Sequence, residues 1–209
     1  MPGTSVSWSR FRLDAFGEPY LVWHDGPDYS TFDALWSADQ GFVEQALLDG
    51  LAERDPLAAQ AIARLPLSKD ARSRFIGFLT EQIGQRPVGY HLRVSEALFR
   101  LTGDENWSRE ILRVLLGAGL WSDRFDAAIA LASFAPTPVI IEALERCVQD
   151  PDYLVRYHAA NTLLGYSGLD PNVTVHGEYF AGIRSRASAT EWSLVSKTLA
   201  DAARAVLHN

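Results

Sequence analysis

The sequence predicts an all-α protein built as a short array of helical pairs, and three observations carry that prediction. First, the chain repeats itself at a period of about 32 residues. Stepping back from Asp150-Pro151, Arg156 meets Arg124, Tyr157 meets Phe125, Ala159-Ala160 meets Ala127-Ala128 and Leu163 meets Leu131. Second, apolar residues recur at i, i+3, i+4 and i+7 on both sides of each repeat start, the spacing of an amphipathic helix. Third, 209 residues that are 47% hydrophobic and 22% charged, with a mean hydropathy of −0.06, give ordinary globular chemistry with enough apolar material for a core.

Start signals sit near 56, 87, 120 and 151, because two further steps take Pro151 to Pro87 and then to Pro56. A fixed period of this length is the mark of stacked supersecondary units. First helices are predicted over Val43, Ala46, Leu47, Gly50 and Leu51; Phe75, Phe78 and Leu79; Ile111, Leu115 and Ala118; and Val139, Ala143, Leu144, Cys147 and Val148. Second helices are predicted after Asp55, Gln85, Leu120 and Asp150. Proline suits a first helical turn, where its missing N–H costs nothing, and an Asp or Thr before it can cap, as in Asp55-Pro56, Thr137-Pro138 and Asp150-Pro151. Ser37-Ala38-Asp39-Gln40 and Ser188-Ala189-Thr190-Glu191 have capping-box spacing. The helix around 123–134 is apolar on two faces, Phe125, Ala128, Ile129 and Ala132 on one and Ala127, Ala130, Leu131 and Phe134 on the other. It is therefore expected between neighbours in the stack.

Residues 138–164 resemble one HEAT-type repeat: a first helix, Asp150 in the turn, then Val155-Arg156 and Ala159-Ala160-x-x-Leu163 in the second. The similarity is fair over 107–134 and weaker over 42–101, where the Val-Arg pair is absent. It implies a right-handed α-α superhelix of about four to five pairs, with Asp150 and Arg156 in a polar ladder between repeats. Such a motif specifies a fold and hardly any function.

The expected organisation is one domain: a cap segment over 1–41, repeats over 42–165, and a loop with capping helices over 166–209. Val6, Trp8, Phe11, Leu13 and Leu21-Val22-Trp23 around Gly17-Glu18-Pro19 predict a small β hairpin or an irregular N-terminal cap. A short helix near 178–184 precedes a last helix over 191–207, whose stripe of Trp192, Val195, Leu199, Ala202 and Val206 suits a terminal cap.

Charge narrows the partners. Nineteen Lys and Arg against 26 Asp and Glu give −7, which disfavours phosphate binding and suits a basic protein partner. One local basic group remains, Arg64, Lys69, Arg72 and Arg74. The lone Cys147 excludes an intramolecular disulfide and a multi-cysteine zinc site. Residues 1–17 lack the apolar stretch of a signal peptide, and the longest uncharged run, 127–141, carries Pro136 and Pro138. A cytoplasmic protein with no membrane association is the expectation.

No catalytic constellation stands out. His24, His91, His158, His176 and His208 form no metal-ligand pattern, so no metal and no cofactor are expected. His24-Asp25 could orient an imidazole but reads equally as a turn. Cys147 belongs to an apolar stripe, Gly117-Ala118-Gly119 to a helix end, and the carboxylate pairs Glu142/Glu145 and Asp123/Asp126 to solvated faces. The six tryptophans, Trp8, Trp23, Trp36, Trp107, Trp121 and Trp192, fall mostly at segment ends, as packing or contact residues.

What remains is a binding ridge. Solenoids bind through equivalent positions on successive second helices. The 32-residue register groups Arg93, Phe125 and Tyr157 as one ridge and Ala97, Ile129 and Asn161 as the next. Arg93, Phe125, Tyr157 and Asn161 are thus the candidate partner-binding residues, since aromatics and arginine dominate protein hot spots. The expected function is non-enzymatic protein binding. In size and charge the chain is similar to bacterial immunity proteins, several families of which use helical repeats, which implies a basic toxin or effector as partner. The arginine- and alanine-rich composition agrees with a GC-rich bacterial genome. The alternatives are a HEAT-like enzyme, similar to the alkylpurine DNA glycosylases or the bilin lyases, and an adaptor subunit of a larger complex.

Overall fold

The computed structural model describes residues 7–84, 87–184 and 188–207, the side chains of 23–25 excepted. Among these residues all regular structure is helical: thirteen α-helices and two 3-10 turns. The chain divides into two compact units, Met1–Leu101 and Thr102–Asn209.

The first unit holds α1 (Trp8–Phe16), α2 (Pro19–Asp25), α3 (Ser30–Ala38), α4 (Gln40–Ala52), α5 (Pro56–Ile62), α6 (Lys69–Gln82) and α7 (Val88–Thr102). Where a hairpin was one expectation, residues 8–25 form α1 and α2. Gly17 at φ +89° ends α1, and Pro19 opens α2 at a position that needs no N–H. The Trp8, Phe11, Ala15 and Phe16 spacing that looks irregular as a strand is the buried stripe of a helix. Phe16 stacks on Phe32 at 5.0 Å between ring centres, and Trp8 stacks on Phe11 at 5.7 Å. The α4 stripe is buried as expected, Val43, Ala46, Leu47, Gly50 and Leu51. Gly50 is required there: a Cβ at that position would lie 2.6 Å from Trp8 Cδ2 and 2.8 Å from Ala58 Cβ.

In the first unit capping follows local chemistry with one correction. Asp55 caps α5 through the Leu57 N–H at 2.9 Å, and its other oxygen accepts Trp8 Nε1–H at 2.9 Å. Ser37, expected as a cap, lies inside α3 and donates to the Asp33 carbonyl; Asp39 caps α4 by accepting Phe42 N–H. A carboxylate is a strong acceptor for an orphan amide, so the helix starts two residues later than the Ser-x-x-Gln pattern suggests.

The second unit holds a 3-10 turn (Glu105–Trp107), α8 (Ser108–Gly117), α9 (Trp121–Leu131), α10 (Pro138–Cys147), α11 (Tyr153–Tyr166), a second 3-10 turn (Val173–Val175), α12 (Gly177–Ile183) and α13 (Ala189–Val206). Helices α8 and α9 pack as a pair, as do α10 and α11; α11 lies along α9, and α13 covers α10 and α11. Thr137 caps α10, and Ser188 with Glu191 forms a full capping box on α13. Asp150 does not cap α11. Asp152 does, and Asp150 accepts the Asp152 N–H instead.

Three burial expectations change. Helix α9 is covered on one face only: Ala127, Ala128, Ala130, Leu131 and Phe134 are buried, whereas Ile129 is 36% exposed and Ala132 is open. Val139, expected in the α10 stripe, is 63% exposed at the first turn. On α13 the buried face is Val195, Ser196, Leu199, Ala200 and Ala203, rotated away from Trp192 and Val206. That face packs on α10, α11 and α12.

Candidate functional site

Two arginines fix the frame of the second unit. Arg124 on α9 donates from NH1 to the carbonyls of Ala118 and Gly119, six and five residues earlier, at 3.1 and 3.2 Å. Arg156 on α11 donates from NH1 to those of Asp150 and Pro151, again six and five residues earlier, at 2.6 and 3.0 Å. The remaining donors reach forward. Arg124 closes a fork on the Asp150 carboxylate, Nε to Oδ2 at 2.8 Å and NH2 to Oδ1 at 3.0 Å. Arg156 donates from Nε to the Ile183 carbonyl at 2.9 Å and lies 4.0 Å from the centre of the Trp192 ring. The Asp150 carboxylate therefore pairs with Arg124, while Arg156 holds the Asp150 backbone. The Asp150 hydrogen bond holds the Arg124 guanidinium above its ordinary pKa; burial pushes that of Arg156 below.

With α11 held on α9, Thr162 Oγ1 donates to the Ala128 carbonyl at 2.9 Å and Tyr166 OH to that of Leu131 at 2.5 Å. This register brings rings together on the outer face. Trp121, 44% exposed, stacks on Phe125 at 5.6 Å. Phe125 meets His158 at 5.4 Å, His158 meets Tyr157 edge-on at 5.1 Å, and Tyr157 meets Tyr153 at 6.0 Å. Five rings form a continuous strip across two helices.

Beside the strip lies a pocket of about 480 Å³. Its α9 side is Ile129 and Ala132, followed by Phe134; its α11 side is His158, Asn161, Thr162, Gly165 and Tyr166, with Pro171 at the edge. Burial pushes the His158 imidazole below its ordinary pKa, so the ring is neutral near pH 7.

Phe125, Tyr157 and Asn161 thus share one surface. Phe125 touches His158, 33 residues on, rather than Tyr157. Asn161 accepts the Val173 N–H through Oδ1 at 2.9 Å, and Tyr157 OH donates to Asn172 Oδ1 at 3.4 Å, so both moor the loop before α12. Arg93 belongs to the first unit, where it pairs with Glu96 at 2.5 Å. Reasoning from sequence missed His158 as a member of the surface. The available signal was helical spacing, since 158, 161, 162 and 165 share one face.

The remaining candidates have structural partners. His91 is buried and accepts the Gly84 N–H at Nδ1, and His176 Nε2 lies 2.9 Å from the Asp170 carbonyl. The His24-Asp25 side chains and His208 lie outside the described residues. Of the basic group, Arg74 pairs with Glu44 and Arg64 stacks over Tyr29 at 4.0 Å. Trp8 and Trp36 are core residues, and Trp107 donates to Thr102 Oγ1. Among the described residues no group of His, Cys, Asp and Glu could hold a metal ion, and no helix is long and apolar enough to cross a membrane. No protein-family model, no curated protein and no solved structure matches this chain.

Proposed function

We propose that the chain is a HEAT-like array of helical pairs and acts as a non-enzymatic protein-binding protein through the outer face of α9 and α11. The repeat reading is supported by the matching contacts of Arg124 and Arg156. The binding reading rests on one observation, the continuous strip from Trp121 to Tyr153 with Ile129 exposed beside it. Aromatic rings held rigid by their neighbours supply contact area at low entropic cost, and they dominate hot spots. A net charge of −7 favours a basic partner through steering of encounter and stands against phosphate backbones. The narrower form is a bacterial, cytoplasmic immunity protein that neutralises a basic toxic effector by covering its active surface.

Affinity capture from the native cells with the tagged wild type and with Ile129→Glu tests this. The expected result is one basic protein held stoichiometrically by the wild type and lost from the variant, with both baits showing the same circular dichroism melt. Recovery of the same proteins on both baits, or of none, overturns it.

A further inference from the structure

The strip is a half-buried surface with Trp121 exposed at one end, and the pocket beside it has the features of a specificity site. Its walls are mixed. Ile129, Ala132, Phe134 and Pro171 supply apolar contact, and two further polar groups there are already spent, Thr162 Oγ1 on Ala128 and Tyr166 OH on Leu131. Two groups are not. Asn161 commits Oδ1 to Val173, and its Nδ2 amide has no partner among the described residues. Among the described residues His158 has ring contacts with Phe125 and Tyr157, and its ring nitrogens make no hydrogen bond. The two residues stand three apart on one helix, so their side chains are neighbours on the same face. Together they offer a donor from the amide and, from a neutral imidazole, an acceptor.

We infer that this pocket receives a tyrosine side chain of the protein partner, its ring against Ile129, Ala132 and Phe134 and its hydroxyl accepting from Asn161 Nδ2 and donating to His158. The inference rests on the protein-binding reading above. The chemistry selects among side chains. Leucine or phenylalanine would fill the apolar part but strip water from two polar groups without replacing it, and a buried unpaired donor or acceptor costs more than a hydrogen bond returns. Tryptophan brings a donor and no acceptor, so the Asn161 amide stays unmet. Lysine and arginine likewise bring donors and no acceptor, and they bring a charge that a largely apolar pocket desolvates. Serine and threonine have the hydroxyl but no ring for a pocket of this size. Tyrosine combines an apolar ring with a hydroxyl that both donates and accepts.

The test uses 4-methylphenol as the side-chain probe and toluene as its control. Titrations are followed by the NMR signals of the His158 ring, on the full chain. Toluene is the more hydrophobic, so hydrophobicity alone would make it bind tighter. The expected result is saturable binding in which 4-methylphenol is tighter by about 3- to 10-fold, the net worth of about one neutral hydrogen bond once toluene's greater hydrophobicity is offset. His158→Phe keeps a ring between Phe125 and Tyr157 but removes the acceptor, and it should reduce that preference to the share supplied by the Asn161 amide when followed by the Phe125 ring signals. Ala132→Trp should block both probes, while its unfolding midpoint stays near that of the wild type because residue 132 is exposed. Toluene binding as tightly as 4-methylphenol, or a preference undiminished in His158→Phe, overturns the inference. If a partner is captured through the strip and 4-methylphenol fails to displace it, the pocket inference falls and the protein-binding reading stands. If 4-methylphenol binds with the expected preference and no partner is captured, the protein-binding reading falls, and the tyrosine assignment with it.

Discussion

Arg124 and Arg156 stand 32 residues apart and grip their own preceding turns at the same two offsets, six and five residues back. Each then reaches forward to the next turn, Arg124 to Asp150 and Arg156 to Ile183. One guanidinium thus satisfies carbonyls of the turn between two helices and ties that turn to the next one. The planar fork with five donors makes this an arginine task that lysine cannot perform.

Asp150→Ala should destabilise the protein by about 2–4 kcal/mol, because it leaves a half-buried arginine without its carboxylate and also releases the Asp152 amide. Urea unfolding measures the loss. A double-mutant cycle with Arg124→Met should show a coupling above about 1 kcal/mol, since the two groups form one unit. Independent, additive losses would mean that the fork contributes little.

Gly50 and Gly77 are both helical glycines, yet alanine should act in opposite directions at them. At Gly50 the new methyl meets Trp8 and Ala58 inside ordinary contact distance, and overpacking should cost about 1–3 kcal/mol. At Gly77, in α6, nothing lies within 4 Å, and the gain in helix propensity should stabilise by about 1 kcal/mol. Thermal melts of the two single variants distinguish the cases directly.

Cys147 should be inert while the protein is folded. Burial pushes its thiol from an ordinary 9.0 up to about 12, with the Asp150 charge adding to the effect. The nucleophile is the thiolate, so at about pH 8 almost none is present in the native state. Iodoacetamide should leave the native chain unmodified over hours and add once in denaturing urea, as read by intact mass. Labelling of the native chain at the urea rate would contradict the burial of this thiol.

His158 should give the fold an acid-sensitive component. Its folded pKa is lowered, so between the folded value and the ordinary 6.5 the unfolded chain binds more protons than the folded one. Its contribution is fully present above about pH 6.5 and is lost as pH falls from there towards the lowered folded pKa. His158→Phe should flatten the difference in stability between pH 7 and pH 5 relative to the wild type. NMR titration of the His158 ring should give a midpoint below 6.5.

The helices from α4 onward were legible in the sequence. Period-32 self-similarity and the i, i+3, i+4 stripes located α4 to α11, and Asp55, Thr137 and Ser188 marked the starts of α5, α10 and α13, because periodicity and capping are local properties of the chain. The N-terminal cap was ambiguous for the same reason. The aromatic run over 8–23 fits either period until Gly17 and Pro19 are seen to punctuate two helices, and the burial of Trp8 against Gly50 joins residues 42 positions apart.

Tertiary structure alone decided which apolar faces stay open. In sequence, Phe125, Ile129 and Ala132 are as apolar as Ala127, Ala130 and Leu131, and nothing local says which set meets α11. The choice falls to packing, since the alanine face admits the close approach that lets Thr162 and Tyr166 reach the α9 carbonyls. That approach leaves the bulkier face outside and lays His158 between Phe125 and Tyr157. Helical period is written in neighbouring residues, whereas exposure depends on what a distant segment covers.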